Sequence, residues 1–199
     1  MNPVILVATT NPGKVREIRE VLEGAPAQFR TLDELPTVAE PEETGRTFEE
    51  NARLKARYYA AATGLTSVAE DSGLAIDALD GRPGIHSARY PGDTYPEKFE
   101  RLYRELGPHP RPWTARYVCA VALVPPGGGD PLYTTEAIVA GEIAPAPIGA
   151  HGFGYDPIFY YPPYGTTLAN VDDARKLAVA HRGKAFRALR EWLARAAPA

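Results

Sequence analysis

Short apolar runs recur along the chain, and each is bounded by glycine, proline or charged residues. Runs of this length are typical of strands that lie buried in a sheet. The two longest are separated by the turn sequence PPGGGDP. The runs predict five strands, over Val4–Ala8, Gln28–Leu32, Leu65–Ala69, Trp113–Val124 and Leu132–Ile143.

Between these runs the apolar residues follow a helical period instead. Val15, Ile18 and Leu22 recur on one face of the first such segment. Thr47 and Glu50 form the S/T-x-x-E pattern that opens many helices. The predicted helices span Lys14–Leu22, Phe48–Ala62, Tyr95–Leu106 and His181–Ala196. Strands that alternate with helices predict an α/β protein.

Composition narrows the class of protein. The 199 residues, 44% hydrophobic and 24% charged, suit a single α/β domain with a substantial core. The formal net charge of −3 argues against bulk binding to nucleic acid, which usually needs a basic excess. The one cysteine, Cys119, lies in an apolar run and is expected to pack in the core. The amino-terminal run is too short to span a membrane and has no basic leader, so we expect a cytoplasmic protein without a membrane partner.

A turn of small and polar residues, Thr9 to Lys14, separates the first strand from the first helix. Backbone N–H groups at a helix N-terminus favour a phosphate, and Lys14 adds a positive charge there. The pattern G-x-x-x-x-G-K-[ST] is absent, so this is not a Walker A loop. The alternative is an ordinary strand-to-helix turn with an exposed lysine.

Acidic residues form a second cluster. Glu70 and Asp71 follow the third strand, so we expect them at its carboxyl end, where ligands bind in open α/β sheets. Glu40, Glu42 and Glu43 lie in an acidic loop. Carboxylates are the ligands that Mg²⁺ prefers, and a carboxylate can also deprotonate a water. The alternatives are a solvated charge run for the loop acids and a turn or capping role for Asp71.

Two segments near the carboxyl end combine aromatic, glycine and basic residues. The segment Gly152–Asp156 (GFGYD) places glycines on both sides of Phe153, so its backbone can approach a flat ligand, and aromatic rings stack on bases. Lys176, His181 and Arg182 are donors for a carbonyl or phosphate oxygen, with Lys176 one turn before the last helix. Cations at a helix start oppose the helix dipole, which favours a ligand there. An aromatic core loop and a basic surface helix are the alternatives.

Five segments occur in a fixed order: TTNPGK, EETGRTFEENARLKA, AEDSGLAIDALDGRPGIHSARY, GFGYDPIF and HRGKA. In this order they resemble the inosine triphosphate pyrophosphatase family, also called dITP/XTP pyrophosphatases, over nearly the whole chain. The resemblance implies one domain over residues 1–199, with an elongated α/β fold, a long central mixed sheet flanked by helices, and an active-site cleft between two lobes. It also implies a homodimer, Mg²⁺ as cofactor, and hydrolysis of ITP, dITP or XTP to the monophosphate and pyrophosphate.

The resemblance assigns roles to individual residues. Asp71 matches the general base and a metal ligand. Glu42 matches the second metal ligand, with the adjacent Glu43 as the alternative. Glu70 stays open as an auxiliary ligand or a structural acid. The residues matched to substrate contacts are Thr9, Thr10, Asn11, Pro12, Gly13, Lys14, Ser72, Phe153, Gly154, Tyr155, Asp156, Lys176, His181 and Arg182, and the polar helix residues matched to the cleft are Asn51 and Lys55.

The expected reaction needs no covalent intermediate. A water activated by Asp71 with Mg²⁺ attacks the α-phosphate and pyrophosphate leaves, while His181 or Arg182 donates to the 6-carbonyl of the base. Adenine has an amino group at that position, which would leave buried polar groups unmatched. Two alternatives stay open: a nucleotide sensor without turnover, and a pyrophosphatase for modified pyrimidine triphosphates.

Overall fold

A seven-stranded mixed sheet organises the fold. The computed structural model describes residues 3–196. The strands are β1 Val4–Val7, β2 Gln28–Thr31, β3 Thr66–Ile76, β4 Thr114–Val124, β5 Tyr133–Ile143, β6 Phe159–Tyr161 and β7 Thr166–Thr167, and their order in the sheet is β2-β1-β3-β4-β5-β6-β7. The helices are α1 Pro12–Leu22, α2 Phe48–Thr63, α3 Tyr95–Leu106, α4 Asp173–Val179 and α5 His181–Ala196. None of these helices has the length and apolar character needed to cross a membrane.

Both kinds of strand pairing occur in the sheet. Strand β1 pairs in parallel with β2 and with β3, and Ile5 lies opposite Phe29 and Thr66. Strand β5 pairs antiparallel with β6, with Ile143 opposite Phe159, and β6 pairs antiparallel with β7. The predicted α/β class and mixed sheet are therefore confirmed.

The described residues divide into two compact units. The first comprises residues 3–71, 119–137 and 182–196, and the second comprises residues 72–118 and 138–181. Strands β3, β4 and β5 each contribute residues to both units. Each unit has a core of buried apolar side chains and its own set of buried polar side chains.

In the first unit, α2 packs on the sheet largely through small side chains. The buried residues in this contact include Leu6, Ala52, Ala56, Ala69 and Ala120. The helix begins where the sequence predicts it, because Thr47 Oγ1 accepts the N–H of Glu50 at 3.1 Å. The Glu50 carboxylate accepts the N–H of Arg46 rather than that of the cap residue. Gly64 ends the helix at φ 68°, in the left-handed region that glycine adopts without steric cost.

In the second unit, α3 supplies one side of the core. Its predicted bounds are confirmed, and Thr94 caps the helix by accepting the N–H of Glu97. Leu102 and Leu106 on its inner face are fully buried. They join a cluster that contains Leu74, Trp113, Tyr117, Phe159 and Leu168.

Glu70 and Asp71 lie in the middle of β3, not at its carboxyl end, so that prediction is wrong. The strand runs on through the Ser-Gly pair to Ile76. A carboxylate without a partner is costly when buried, and for this reason two acids after an apolar run resemble the end of a strand. Each of these carboxylates has a lysine ammonium within 4 Å, which offsets the cost and allows the strand to continue.

The segment between β5 and the last helix contains more regular structure than its Gly/Pro-rich sequence predicts. The Gly/Pro/aromatic pattern over residues 144–167 predicts a loop, whereas the structure has the short strands β6 and β7 there, and α4 follows them. Lys176 lies in α4, which ends just before the last helix. Asp172 begins α4 by accepting the N–H of Arg175 at 2.7 Å, and the extended backbone of Ala180 ends it.

Candidate active site

The turn between β1 and α1 is held by its own side chains. Thr9 Oγ1 accepts the N–H of Asn11 at 3.3 Å, and Asn11 Oδ1 accepts the N–H of Lys14 at 3.1 Å. Asn11 is thus the N-cap of α1, and Lys14 lies in the first helical turn. Thr10 donates its hydroxyl proton to Glu40 of the acidic loop. The predicted phosphate turn therefore combines a helix N-terminus with a lysine and two threonines.

Glu70 is at the centre of a buried chain of charges in the first unit. Lys14 Nζ lies 2.5 Å from Glu70 Oε1, and Arg182 Nη2 lies 3.6 Å from the same oxygen. Arg182 Nη1 also donates to Glu17 Oε2 at 2.6 Å. Burial by itself raises the pKa of Glu70, but the charges of Lys14, Arg182 and Lys55 outweigh it and hold the pKa well below its usual value. Glu70 is therefore ionised and holds Lys14 beside the turn.

Cys119 in β4 supports the same carboxylate. Its thiol donates to Glu70 Oε2 at 3.3 Å. The side chain is fully buried, and burial raises the pKa of the thiol well above its usual value. Cys119 is thus a neutral packing residue, as predicted, with a hydrogen bond in addition.

The adjacent residues His181 and Arg182 belong to different units. His181 is the last residue of the second unit's segment, and Arg182 begins a segment of the first. Successive side chains on a helix diverge by about 100°. Arg182 contacts the carboxylates of Glu17 and Glu70, and His181 stacks on Tyr117 of the second unit.

Asp71 has a different set of partners in the first unit. Asn51 Nδ2 donates to Asp71 Oδ2 at 3.0 Å, and Lys55 Nζ lies 3.6 Å from Asp71 Oδ1. Burial raises the pKa of Asp71, and Glu43 and Glu70 act in the same direction; Lys55 and Asn51 oppose the shift without cancelling it. A carboxylate with a raised pKa is a stronger base than an ordinary one, which suits the activation of water.

Asn51 fixes the orientation of Asp71. Its side chain is fully buried on α2, and its Oδ1 accepts the N–H of Gly45 at 2.8 Å. That bond leaves the Nδ2 group as the donor toward the Asp71 carboxylate. A Cβ atom at Gly45 would lie 2.6 Å from Asn51 Oδ1, so the glycine allows this close approach.

The acidic loop brings Glu43, and not Glu42, to the cluster. Glu43 Oε1 lies 2.6 Å from Lys55 Nζ, while Glu42 is exposed. Burial lowers the pKa of Lys55, but Asp71, Glu70 and Glu43 outweigh it and raise the pKa above its usual value. Two carboxylates, those of Asp71 and Glu43, thus lie beside one cation.

Two carboxylates are a ligand set that Mg²⁺ accepts in proteins. Within residues 3–196 there is no group of three or more His, Cys, Asp or Glu side chains that could hold a metal ion by itself. Mg²⁺ usually takes only one or two carboxylates and completes its shell with waters and substrate phosphates. Asp71 with one loop acid therefore fits a metal that arrives together with a phosphate group.

In the second unit, Asp156 organises the GFGYD segment. Its Oδ2 lies 2.5 Å from Lys176 Nζ and accepts the N–H of Phe153 at 2.8 Å. Its Oδ1 accepts the hydroxyl of Tyr117 at 3.3 Å. Asp156 and Lys176 are each at most 3% exposed. This buried pair closes the segment into a turn around the carboxylate.

Aromatic rings lie beside the Asp156–Lys176 pair. Lys176 Nζ lies 4.4 Å from the centroid of the Phe153 ring, in a cation–π geometry. The His181 ring stacks on Tyr117, with centroids 4.4 Å apart and planes 13° apart. The second unit therefore combines an aromatic face with cationic and imidazole donors, which is suited to a flat, polar ligand.

Gly152 is needed for this arrangement. Its backbone is left-handed at φ 72°, and a Cβ atom there would lie 2.3 Å from Asp156 Oδ2 and 3.0 Å from Lys176 Nζ. We expect Gly152→Ala to lower the free energy of unfolding by about 1–3 kcal/mol more than a control with the same backbone strain, because the buried pair must move. Urea unfolding monitored by circular dichroism measures this difference.

The matched control is Gly165→Ala. Gly165 is also left-handed, at φ 64°, but nothing lies within 4 Å of a Cβ atom there. A difference between the two variants below about 0.5 kcal/mol would contradict the prediction, because that is the size of an ordinary surface substitution.

The other predicted site residues occupy varied positions. Pro12 and Gly13 are the first residues of α1. Tyr155 is a core residue whose hydroxyl donates to the carbonyl of Ser87 at 2.8 Å. Gly154 lies beside Tyr95, whose Oη is 3.5 Å from the place of a Cβ atom. Half-buried Ser72 follows Asp71 directly in β3.

Sequence reasoning missed Glu17, Tyr95 and Tyr117. Glu17 lies on α1 and is bound to a residue 165 positions away. Tyr117 lies within an apolar strand, where an aromatic residue is expected for packing alone. Tyr95, which is 38% exposed, stands at the start of a helix. No local pattern distinguishes these residues from ordinary helix and strand positions.

Comparison with known proteins identifies the family. Residues 5–192 match the Ham1 family. The chain is 48% identical over 189 residues to the dITP/XTP pyrophosphatase of Nostoc sp., covering 95% of this chain and 93% of that protein. It is 44% identical to the dITP/XTP pyrophosphatase of Geobacter sulfurreducens, with 95% and 96% covered. The solved structure of a HAM1 protein from Coxiella burnetii has a TM-score of 0.90 at 38% identity, covering 98% of this chain and all of that one.

The chain belongs to the Ham1 family. The resemblance predicted from five ordered segments is thereby confirmed, since the relatives named above match almost end to end.

Proposed function

We propose that this chain, a Ham1-family nucleoside triphosphate pyrophosphatase, hydrolyses the deaminated purine nucleotides ITP, dITP and XTP to the monophosphate and pyrophosphate. The observation that carries the proposal is Asp71, a buried carboxylate with a raised pKa that Asn51 orients and Lys55 faces. In a relative of dITP/XTP pyrophosphatases, such a residue has the properties of a base that activates water.

The first unit holds the residues suited to the triphosphate. Lys14, the N-terminus of α1 and the hydroxyls of Thr9 and Thr10 supply positive charge and donors for phosphate oxygens. Asp71 and a loop acid, Glu42 or Glu43, would hold Mg²⁺. When bound, Mg²⁺ would neutralise phosphate charge and polarise the α-phosphate.

Asp71 then takes a proton from a water as the water oxygen attacks the α-phosphorus. The bond from the α-phosphorus to the bridging oxygen breaks, and its electron pair leaves with pyrophosphate. Lys14, held by Glu70, stabilises the charge that develops on that leaving group. The nucleoside monophosphate is the other product, and no covalent enzyme intermediate is formed.

The second unit holds the residues suited to the base. Phe153 offers an aromatic face, and His181 and Lys176 offer donors for the 6-carbonyl of hypoxanthine or xanthine. The amino group of adenine would face these donors with hydrogens of its own, so polar groups would be left unmatched at a cost of about 1–3 kcal/mol each. ATP should therefore be a poor substrate.

We also propose, on the resemblance alone, that the chain acts as a homodimer in the cytoplasm and has no nucleic-acid or membrane partner. Gel filtration with light scattering tests the dimer. A mass equal to that of one 21.6 kDa chain would exclude it.

A substrate panel tests the activity. Purified protein with Mg²⁺ is incubated with ITP, dITP, XTP, ATP, GTP and a modified pyrimidine triphosphate, and pyrophosphate, orthophosphate and nucleotide products are measured separately. We expect ITP to yield IMP and pyrophosphate, XTP to behave likewise, and chelation of the metal to stop turnover. Release of IDP with orthophosphate would mean that a different bond is broken. Tight binding without turnover would favour a sensor, and preference for the pyrimidine would change the substrate class.

A further inference from the structure

Tyr117 contacts two polar residues of the second unit, His181 and Asp156. It lies in β4 and is 5% exposed. The centroid of its ring is 4.4 Å from that of the His181 ring and 4.4 Å from that of the Phe159 ring. The planes of Tyr117 and His181 differ by only 13°, so the imidazole lies flat against the phenol ring. Its hydroxyl reaches Asp156 Oδ1 at 3.3 Å.

The hydroxyl of Tyr117 stays protonated. Burial raises its pKa well above the usual value, and the charge of Asp156 acts in the same direction. The phenol O–H therefore donates a hydrogen bond to the carboxylate. At 3.3 Å the bond is longer than the usual 2.7–2.8 Å for O–H···O. Tyr117 thus makes one long hydrogen bond to Asp156 and one parallel ring stack with His181.

We propose that Tyr117 is a positioning residue for base selection, which sets the ring plane of His181 and the carboxylate of Asp156. The inference rests on the proposed function, because it assigns His181 and Lys176 as donors toward the base. Asp156 in turn holds Lys176 Nζ at 2.5 Å. Tyr117 therefore contacts His181 directly and is linked to Lys176 through the Asp156 carboxylate. A hydrogen bond to the base depends steeply on angle, so rotation of either donor weakens recognition of the 6-carbonyl.

A residue that only packs the core has different consequences. Loss of packing would slow the hydrolysis of all nucleotides to a similar extent, through a less stable protein. Loss of positioning would slow ITP more than ATP, because only ITP carries the 6-carbonyl that the aligned donors recognise. The ratio of kcat/KM for ITP to that for ATP therefore separates the two roles.

The test compares Tyr117→Phe with Tyr117→Leu. The Phe variant keeps the stacked ring and removes only the hydroxyl, so we expect the ITP/ATP ratio to fall roughly threefold to tenfold. The Leu variant removes the stack as well, and we expect a larger fall, of about tenfold to a hundredfold. Tyr103→Phe is the matched control, because Tyr103 Oη is buried in the same unit and has no hydrogen-bond partner among residues 3–196. Its ratio should stay within twofold of the wild type.

An NMR measurement gives a readout that does not need turnover. The Cε1–H signal of His181 is shifted by the ring current of the stacked phenol, and it is assigned by its absence in His181→Gln. We expect the signal to stay near its wild-type position in Tyr117→Phe and to move in Tyr117→Leu. A wild-type ITP/ATP ratio in both Tyr117 variants would overturn the inference even with full ITP hydrolysis. If the wild type hydrolyses neither nucleotide, the proposed function fails. An unmoved His181 signal in Tyr117→Leu would show that the ring stack does not exist, which overturns the inference separately.

Discussion

Replacing Asp71 with asparagine is expected to lower kcat for ITP by at least about 10³-fold, while the KM changes little. General bases typically contribute about 10²- to 10⁴-fold, and this substitution also removes one of the carboxylates that we propose would hold Mg²⁺. Asparagine has nearly the same shape and can still accept the hydrogen bond from Asn51, but it cannot take a proton from water. Steady-state release of pyrophosphate from ITP at saturating Mg²⁺ measures the effect.

The same substitution should not weaken the fold. Burial raises the pKa of Asp71, which means that the folded protein disfavours the ionised form. The neutral amide removes that cost, so the free energy of unfolding should be unchanged or higher. The control is Asp130→Asn, since the Asp130 side chain is 98% exposed in the same unit and activity should stay within twofold. A variant of Asp71 that keeps more than about a tenth of wild-type kcat would remove it from the role of base.

Replacing Glu70 with glutamine is expected to destabilise the protein by about 3–5 kcal/mol. Glu70 is buried between Lys14 and Arg182. The neutral amide would leave Lys14 without this carboxylate and would leave Arg182 paired with the carboxylate of Glu17. The cost of a buried charge without its counter-ion is much larger than the net value of the pair itself. Urea denaturation at neutral pH measures the change in the free energy of unfolding.

Glu49→Gln is the matched control for Glu70→Gln. Glu49 pairs with Arg53 at 2.5 Å, the same distance as Glu70 from Lys14, but both side chains of the Glu49–Arg53 pair are nearly half exposed. Surface pairs of this kind contribute about 0–1 kcal/mol. Similar losses in the two variants would show that burial of Glu70 does not determine its contribution.

The free energy of unfolding at low pH should show the same stabilising contribution of Glu70. Its pKa is lower in the folded protein than in the unfolded chain, so its stabilising effect is complete above the ordinary value, about pH 4.3. The effect is lost as the pH falls through the lower, folded value. Below about pH 4.3 the wild type should therefore lose stability more steeply than Glu70→Gln. Parallel pH profiles for the two proteins would contradict this assignment.

The predicted elements were most accurate where local contacts define them. Helix α3 has its predicted bounds, and Thr47 and Thr94 both cap helices through hydrogen bonds to the residue three positions later. These bonds join near neighbours, so the sequence pattern contains both partners. Each of the five segments is likewise a run of neighbouring residues, and their order along the chain was sufficient to identify the family.

The partners of Glu70 and Asp71 do not follow from the local sequence. At a strand end, both side chains could have turned toward one metal. Within β3, successive side chains point to opposite faces, so Glu70 contacts Lys14 and Arg182 while Asp71 contacts Asn51 and Lys55. The sequence left two roles open for Glu70, an auxiliary metal ligand or a structural acid. Its contacts with Lys14 and Arg182 favour the structural acid.

The sequence by itself determined the α/β class, the cap of α2 and the family, because hydrophobic period, capping bonds and each short motif are properties of neighbouring residues. Only the tertiary structure decided the partners of the buried charges. Arg182 binds Glu17 across 165 positions, and Tyr117 meets Asp156 and His181 from other elements. The energy of such contacts depends on burial and on distance in space, and neither quantity is present in the local pattern of the chain.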